Sequence, residues 1–162
     1  MILLNYPEAF AFAVLSAMAF AVIFQAPKNA LPVCGVVGAV GWLVYIHLSQ
    51  TLGVDSFYAN LAASLAVSLL SEINARLWHH PVTVVVIPGL FPIVPGLAMY
   101  KGMTQIIEKN YDLGMSLLLQ AGMDASAIAL GVMVVGSLFR AVKLRHERAG
   151  LKRLAKEREE QS

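Results

Sequence analysis

The chain has 162 residues, 58% hydrophobic and 14% charged, with a mean hydropathy of +0.68. Soluble domains carry roughly 25% charged residues, so this composition argues for an integral membrane protein. It leaves room for four or five helices of about 20 residues and excludes a soluble catalytic domain. The net charge of +2 is unevenly placed: eight of the twelve Lys and Arg residues lie at or beyond Arg140. A nearly neutral apolar module, residues 1–139, is therefore followed by a basic tail, residues 140–162. Nucleic acid would also favour such a tail. The apolar body argues against that partner, and cytoplasmic retention of cations explains the tail more simply.

The first apolar run, residues 8–25, has no basic leader and is long for a signal peptide, so a retained first helix is expected. Its Ala9, Ala13, Ala17 and Ala21 share one face at four-residue spacing. A second run, residues 31–48, lies between Pro27 and Gly53 and is crowded with Gly35, Gly38, Ala39 and Gly41. Small faces let membrane helices approach closely, which predicts a bundle or a homo-oligomer and not a substrate site. Cys34, the single cysteine, reads as packing filler there.

The third run, residues 57–76, carries Asn60, Ser64, Ser68 and Glu72 at four-residue spacing. Glu72 either faces a polar path or pairs with Arg76 one turn on. Residues 82–100 form a fourth run, VTVVVIPGLFPIVPGLAMY, with no charge but with Pro88, Gly89, Pro92, Pro95 and Gly96 inside it. Proline removes a backbone donor and clashes with the preceding turn. Broken helices persist at membrane depth only where protein or a water-filled cavity covers them, and such breaks are the usual material of transporter sites. The fifth run, residues 114–139, carries Ser116, Gln120 and Asp124, again four apart. The stretch 101–113 reads as the longest connection, holding at most a short interfacial helix.

Two matched polar faces beside a broken helix suggest one shared cavity, because polar residues in membrane helices face a bundle interior or a wet path. Low dielectric disfavours a bare carboxylate, which makes Asp124 the candidate for proton coupling, with Glu72 behind it. The alternative for Asp124 is a capping role at the true start of the fifth helix. His79 and His80, adjacent in a turn, read as interface residues, and Trp42, Trp78 and Tyr45 as an aromatic belt. No nucleophile elbow, phosphate loop, HExxH or CxxC is present, so neither an enzyme nor a cofactor is expected. The charges favour five crossings of the cell membrane, with the N-terminus outside and the C-terminus cytoplasmic.

Phe24-Gln25-Ala26-Pro27 closing helix one, Leu31 with Gly35 and Gly38, His80-Pro81 before helix four, and above all Pro92-Ile93-Val94-Pro95-Gly96 with Tyr100 four residues on resemble the threonine/serine exporter family. The likeness runs to about residue 139 and is to the small, single-module subunit. It implies an all-α membrane fold of five transmembrane helices, the fourth broken. It also implies a secondary exporter of threonine, serine or a related small carboxylate such as a dicarboxylate, and a larger membrane subunit of the same family as partner within the lipid bilayer. The motif carries over to Pro92, Pro95, Gly96 and Tyr100 as substrate-binding candidates, joined by Asn60, Ser64, Ser68 and Gln120 from the polar faces. The competing reading is a non-transporting accessory or assembly subunit.

Overall fold

A computed structural model describes the backbone of residues 6–78 and 81–160, and side chains as far as residue 142. His79 and His80, and the side chains of most of the basic tail, lie outside the described residues. The elements are α1 (Tyr6–Ile23), α2 (Leu31–Ile46) ending in a π-helical turn (His47–Thr51), α3 (Ser56–Trp78), α4 (Val82–Leu90), a 3₁₀ turn (Phe91–Ile93), α5 (Gly96–Ile107) and α6 (Tyr111–Glu160). No strand occurs among the described residues, and the protein is an all-α membrane protein. Among the described residues, four helical stretches are long and apolar enough to cross a bilayer: Tyr6–Ile23, Leu31–Thr51, Ser56–Trp78 and Tyr111–Val142. The pair Val82–Ile93 and Gly96–Ile107, bent by 51° at its break, qualifies jointly as one more.

The small-residue faces do what their spacing suggests. Ala13, Ala17 and Ala21 are buried on α1, as are Gly35, Gly38, Ala39 and Gly41 on α2. α2 sits centrally, packed on α1, α3 and α4, while α6 packs on α3 and α5. A close approach lies at Gly38, where an added methyl would collide with the Ala17 side chain and press on the Gly89 carbonyl. Glycine is required there for packing, not for backbone conformation.

Chain ends are closed locally. Gln25 adopts a left-handed conformation (φ 56°), and the Ala26 N–H reaches back to the Ala21 carbonyl at 2.9 Å. This is a Schellman termination, so Phe24-Gln25-Ala26-Pro27 is a helix stop with a defined geometry. Lys109 (φ 67°) repeats the device after α5, with Asn110 N–H on the Gln105 carbonyl at 2.9 Å.

That second stop corrects one expectation. Residues 101–107 are not a connection; they continue the second half of the broken helix, and the turn to α6 is only 108–110. Further on, α6 runs through Gly150 without a break in its backbone.

α3 and α6 run parallel. Ser56 bonds Asp124, Ser64 sits against Gly131, and the Arg76 guanidinium lies over the Phe139 ring at 4.6 Å. The partners advance together along both helices. The chain must therefore return from the end of α3 to the starting level of α6, and the broken pair α4–α5 makes that return.

Candidate functional site

Three prolines should orphan three carbonyls in the broken helix, and all three are recaptured. Pro88 has no N–H for the Val84 carbonyl one turn back; the Cys34 thiol of α2 donates to it instead at 3.4 Å. Cys34 is thus more than filler. The Pro88 carbonyl accepts from Phe91 N–H, and the Phe91 carbonyl from Val94 N–H at 3.3 Å. Phe91 itself stacks on Phe20 of α1, with ring centroids 3.7 Å apart. The first half of the break is therefore rigidly held.

The second half is open. Pro95 has φ −75° and ψ 47°, and Gly96 N–H bonds the Val94 carbonyl at 2.7 Å, an inverse γ-turn. From there α5 starts afresh. The Leu97 and Ala98 N–H groups form no backbone hydrogen bond, nor do the Pro92 and Ile93 carbonyls accept one. A helix N-terminus with free N–H groups favours negative charge, so the break presents donors and acceptors a few residues apart.

This open backbone borders a cavity of about 440 Å³. Pro92, Ile93, Val94, Pro95, Leu97, Ala98 and Lys101 form one wall; Ser56 and Asn60 of α3, Leu117, Gln120 and Asp124 of α6, and Trp42 and Tyr45 of α2 complete it. Asp124 is 5% exposed and lies thirteen residues inside α6, ~20 Å from its start at 1.5 Å per residue. The alternative of a helix-start cap is excluded. The Ser56 hydroxyl donates to Asp124 Oδ2 at 2.8 Å and accepts from Asn60 Nδ2 at 3.3 Å. Asn60 is 1% exposed, and its Oδ1 has no partner. A second cavity of about 550 Å³ lies across the same group, sharing Ser56, Gln120 and Asp124 and adding Asp55, Asp112 and Ser116.

Pro92, Pro95, Asn60, Gln120 and Asp124 thus meet at one cavity. The other candidates do not reach it. Ser64 is buried against α6, with its hydroxyl bonded to the Leu61 carbonyl at 2.9 Å. Ser68 is buried but lines no part of the cavity. Glu72 lies twelve residues beyond Asn60, ~18 Å along α3; it forms no ion pair with Arg76, which turns to Phe139 instead. Tyr100 points outward, 69% exposed. Gly96 is part of the break, but its N–H is engaged by Val94.

Four wall residues escaped the sequence reading. Trp42 and Tyr45 stack on each other with centroids 5.5 Å apart and line the cavity. Lys101 falls in the stretch that the sequence reads as a connection, and the structure puts it in α5. Ser56 opens α3; Asp55 before it accepts the Phe57 N–H at 2.9 Å, and the Ser56 hydroxyl goes to Asp124. The Asp-Ser pair at a helix start was the available signal.

The family model described as "Threonine/Serine exporter, ThrE" matches residues 9–138. The chain belongs to the threonine/serine exporter family. It is 31% identical over 133 residues to a threonine/serine exporter of Corynebacterium glutamicum, covering 80% of this chain and 27% of that protein. It is 29% identical over 135 residues to a probable threonine/serine exporter of Mycobacterium tuberculosis, covering 83% and 25%. An uncharacterized Haemophilus influenzae protein is 25% identical over 141 residues, covering 79% and 46%. The chain therefore spans a quarter to a half of the length of these relatives. No solved structure matches. The matched residues include every residue that walls the cavity.

Proposed function

We propose that the chain is one transport module of a secondary exporter for threonine, serine or a related small carboxylate, and that the cavity at the broken helix is its substrate site. The observation that carries this reading is the polarity of the cavity. Free Leu97 and Ala98 N–H groups and the Lys101 ammonium lie on the α5 side; Asp124, the Asn60 carbonyl oxygen and the free Pro92 and Ile93 carbonyls supply acceptors. A zwitterion fits by placing its carboxylate on the donors and its ammonium on the acceptors. The two relatives named as threonine/serine exporters support the substrate class.

Asp124 is the residue we assign to proton coupling, since it is the carboxylate that reaches both cavities. α4 and α5 act as one broken fifth span of the cell membrane; the parallel course of α3 and α6 supports this. Charge placement supports an outside N-terminus and a cytoplasmic C-terminus. A larger membrane subunit or second module of the same family completes the transporter, with alternating access by movement of one module against the other.

The test is threonine efflux from preloaded cells carrying Pro95→Leu. That change restores a backbone donor and releases the γ-turn that ends the break. Initial efflux should fall by roughly tenfold or more, as expected when about 1.4 kcal/mol of site geometry is lost. Gly96→Ala, with nothing within 4 Å of the added methyl, should leave efflux near wild type. Unchanged efflux in Pro95→Leu at normal membrane levels would reject the site.

A further inference from the structure

Ser56 carries no role in the reading so far, yet its hydroxyl fixes the direction of a three-residue hydrogen-bond chain. A serine hydroxyl has one proton, and an ionised carboxylate only accepts. Ser56 gives its proton to Asp124 Oδ2 at 2.8 Å. Toward Asn60 it has only lone pairs left, and it accepts from Nδ2 at 3.3 Å. An amide has its nitrogen and oxygen on opposite sides, so Asn60 Oδ1 is turned away from Ser56. That oxygen is buried without a donor, on a residue 1% exposed that borders the cavity. The second Asp124 oxygen likewise has no donor among the described residues. A buried acceptor without a partner is costly, and an ammonium, which carries three donors, is a group suited to acceptors of this kind.

We infer that Ser56 is a positioning residue that holds the Asn60 and Asp124 oxygens as a two-point acceptor for a primary ammonium group on the substrate. This rests on the cavity being the substrate site. Lys101, on the facing wall, is the cation that keeps the ammonium to the α3–α6 side and draws the carboxylate to α5. Ser56 acts through these two residues; without it, the Asn60 amide and Asp124 each lose an orienting hydrogen bond.

The experiment is the dependence of initial threonine efflux on internal concentration, in the native cells, for wild type, Ser56→Ala, Ser56→Thr, Asn60→Leu and the Ser56→Ala/Asn60→Leu pair, with membrane levels measured for each. Ser56→Ala should raise the half-saturating concentration roughly tenfold, with the maximal rate within about twofold, as for loss of one charge-assisted hydrogen bond. Ser56→Thr keeps the hydroxyl and should restore the value to within about threefold of wild type. Asn60→Leu should raise it by a similar factor, and adding Ser56→Ala to it should cost less than about twofold more, because the two act through one subsite. A wild-type half-saturating concentration in Ser56→Ala, or full multiplication of the two effects in the pair, overturns the inference. Should Ser56→Ala fail to reach the membrane, Ser56→Cys and Asn60→Leu decide it, and wild-type values in both overturn it. No efflux from wild-type cells above a deletion strain would reject the transport reading and overturn this inference with it, whereas normal wild-type efflux with an unchanged Ser56→Ala overturns the inference alone.

Discussion

Asp124 receives the Ser56 hydroxyl and reaches two cavities, whereas Glu72 stands near the far end of α3 with no partner of opposite charge among the described residues. The contrast predicts that Asp124→Asn removes most threonine efflux while Glu72→Gln and Ser64→Ala leave it near wild type, in the same preloaded-cell assay. Packing gives a second residue-level contrast. A methyl on Gly131 would strike the Ser64 hydroxyl and press on the Leu61 carbonyl, whereas one on Gly122 meets nothing within 4 Å. Gly131→Ala should therefore destabilise the detergent-purified protein by about 1–3 kcal/mol. Gly122→Ala should be neutral or stabilising by up to about 1 kcal/mol through helix propensity. Thermal midpoints of the two variants check this. At this scale the sequence was a partial guide. Four-residue spacing put Asn60, Ser64, Ser68 and Glu72 on one face, but it could not say how far along that face the cavity extends. Only the turn nearest Ser56 opens onto it; the next turns are filled by α6.

The broken helix works as an element because its two halves are held differently. In α4 the carbonyl lost to Pro88 is covered by Cys34, and the 3₁₀ turn is clamped by Phe20. At α5 the backbone groups near Pro95 stay uncovered and face the cavity. Cys34→Ala should uncover the Val84 carbonyl and lower the stability of the purified protein by roughly 1 kcal/mol, while Cys34→Ser, which keeps a donor, should be milder. The break was readable from Pro92, Pro95 and Gly96, because three prolines in nineteen uncharged residues have no other use in a membrane. Its length was not. Lys101 and the residues after it looked like a loop, since charge and polarity obscured a helix whose end is set by the backbone conformation of Lys109. Tyr100, inside the motif, faces outward because α5 turns its other side to α6 and the cavity.

For the whole molecule, the parallel packing of α3 on α6 is the feature that composition could not supply. Hydropathy alone left four or five crossings open. The register Ser56–Asp124, Ser64–Gly131 and Arg76–Phe139 is the support for our proposal that α4–α5 is a complete crossing, which would put the two termini on opposite sides. Reporter tags at the two ends should respond oppositely to a membrane-impermeant reagent, the N-terminal one from outside; the same response at both ends would mean four crossings. The central claim is that the cavity beside Pro95 holds the substrate, and protection of a cysteine on its wall measures that directly. In a Cys34→Ser background, threonine should slow maleimide labelling of Ala98→Cys while leaving Ile107→Cys, 78% exposed in the wild-type chain, unaffected. Equal labelling rates of Ala98→Cys with and without saturating threonine would contradict the account.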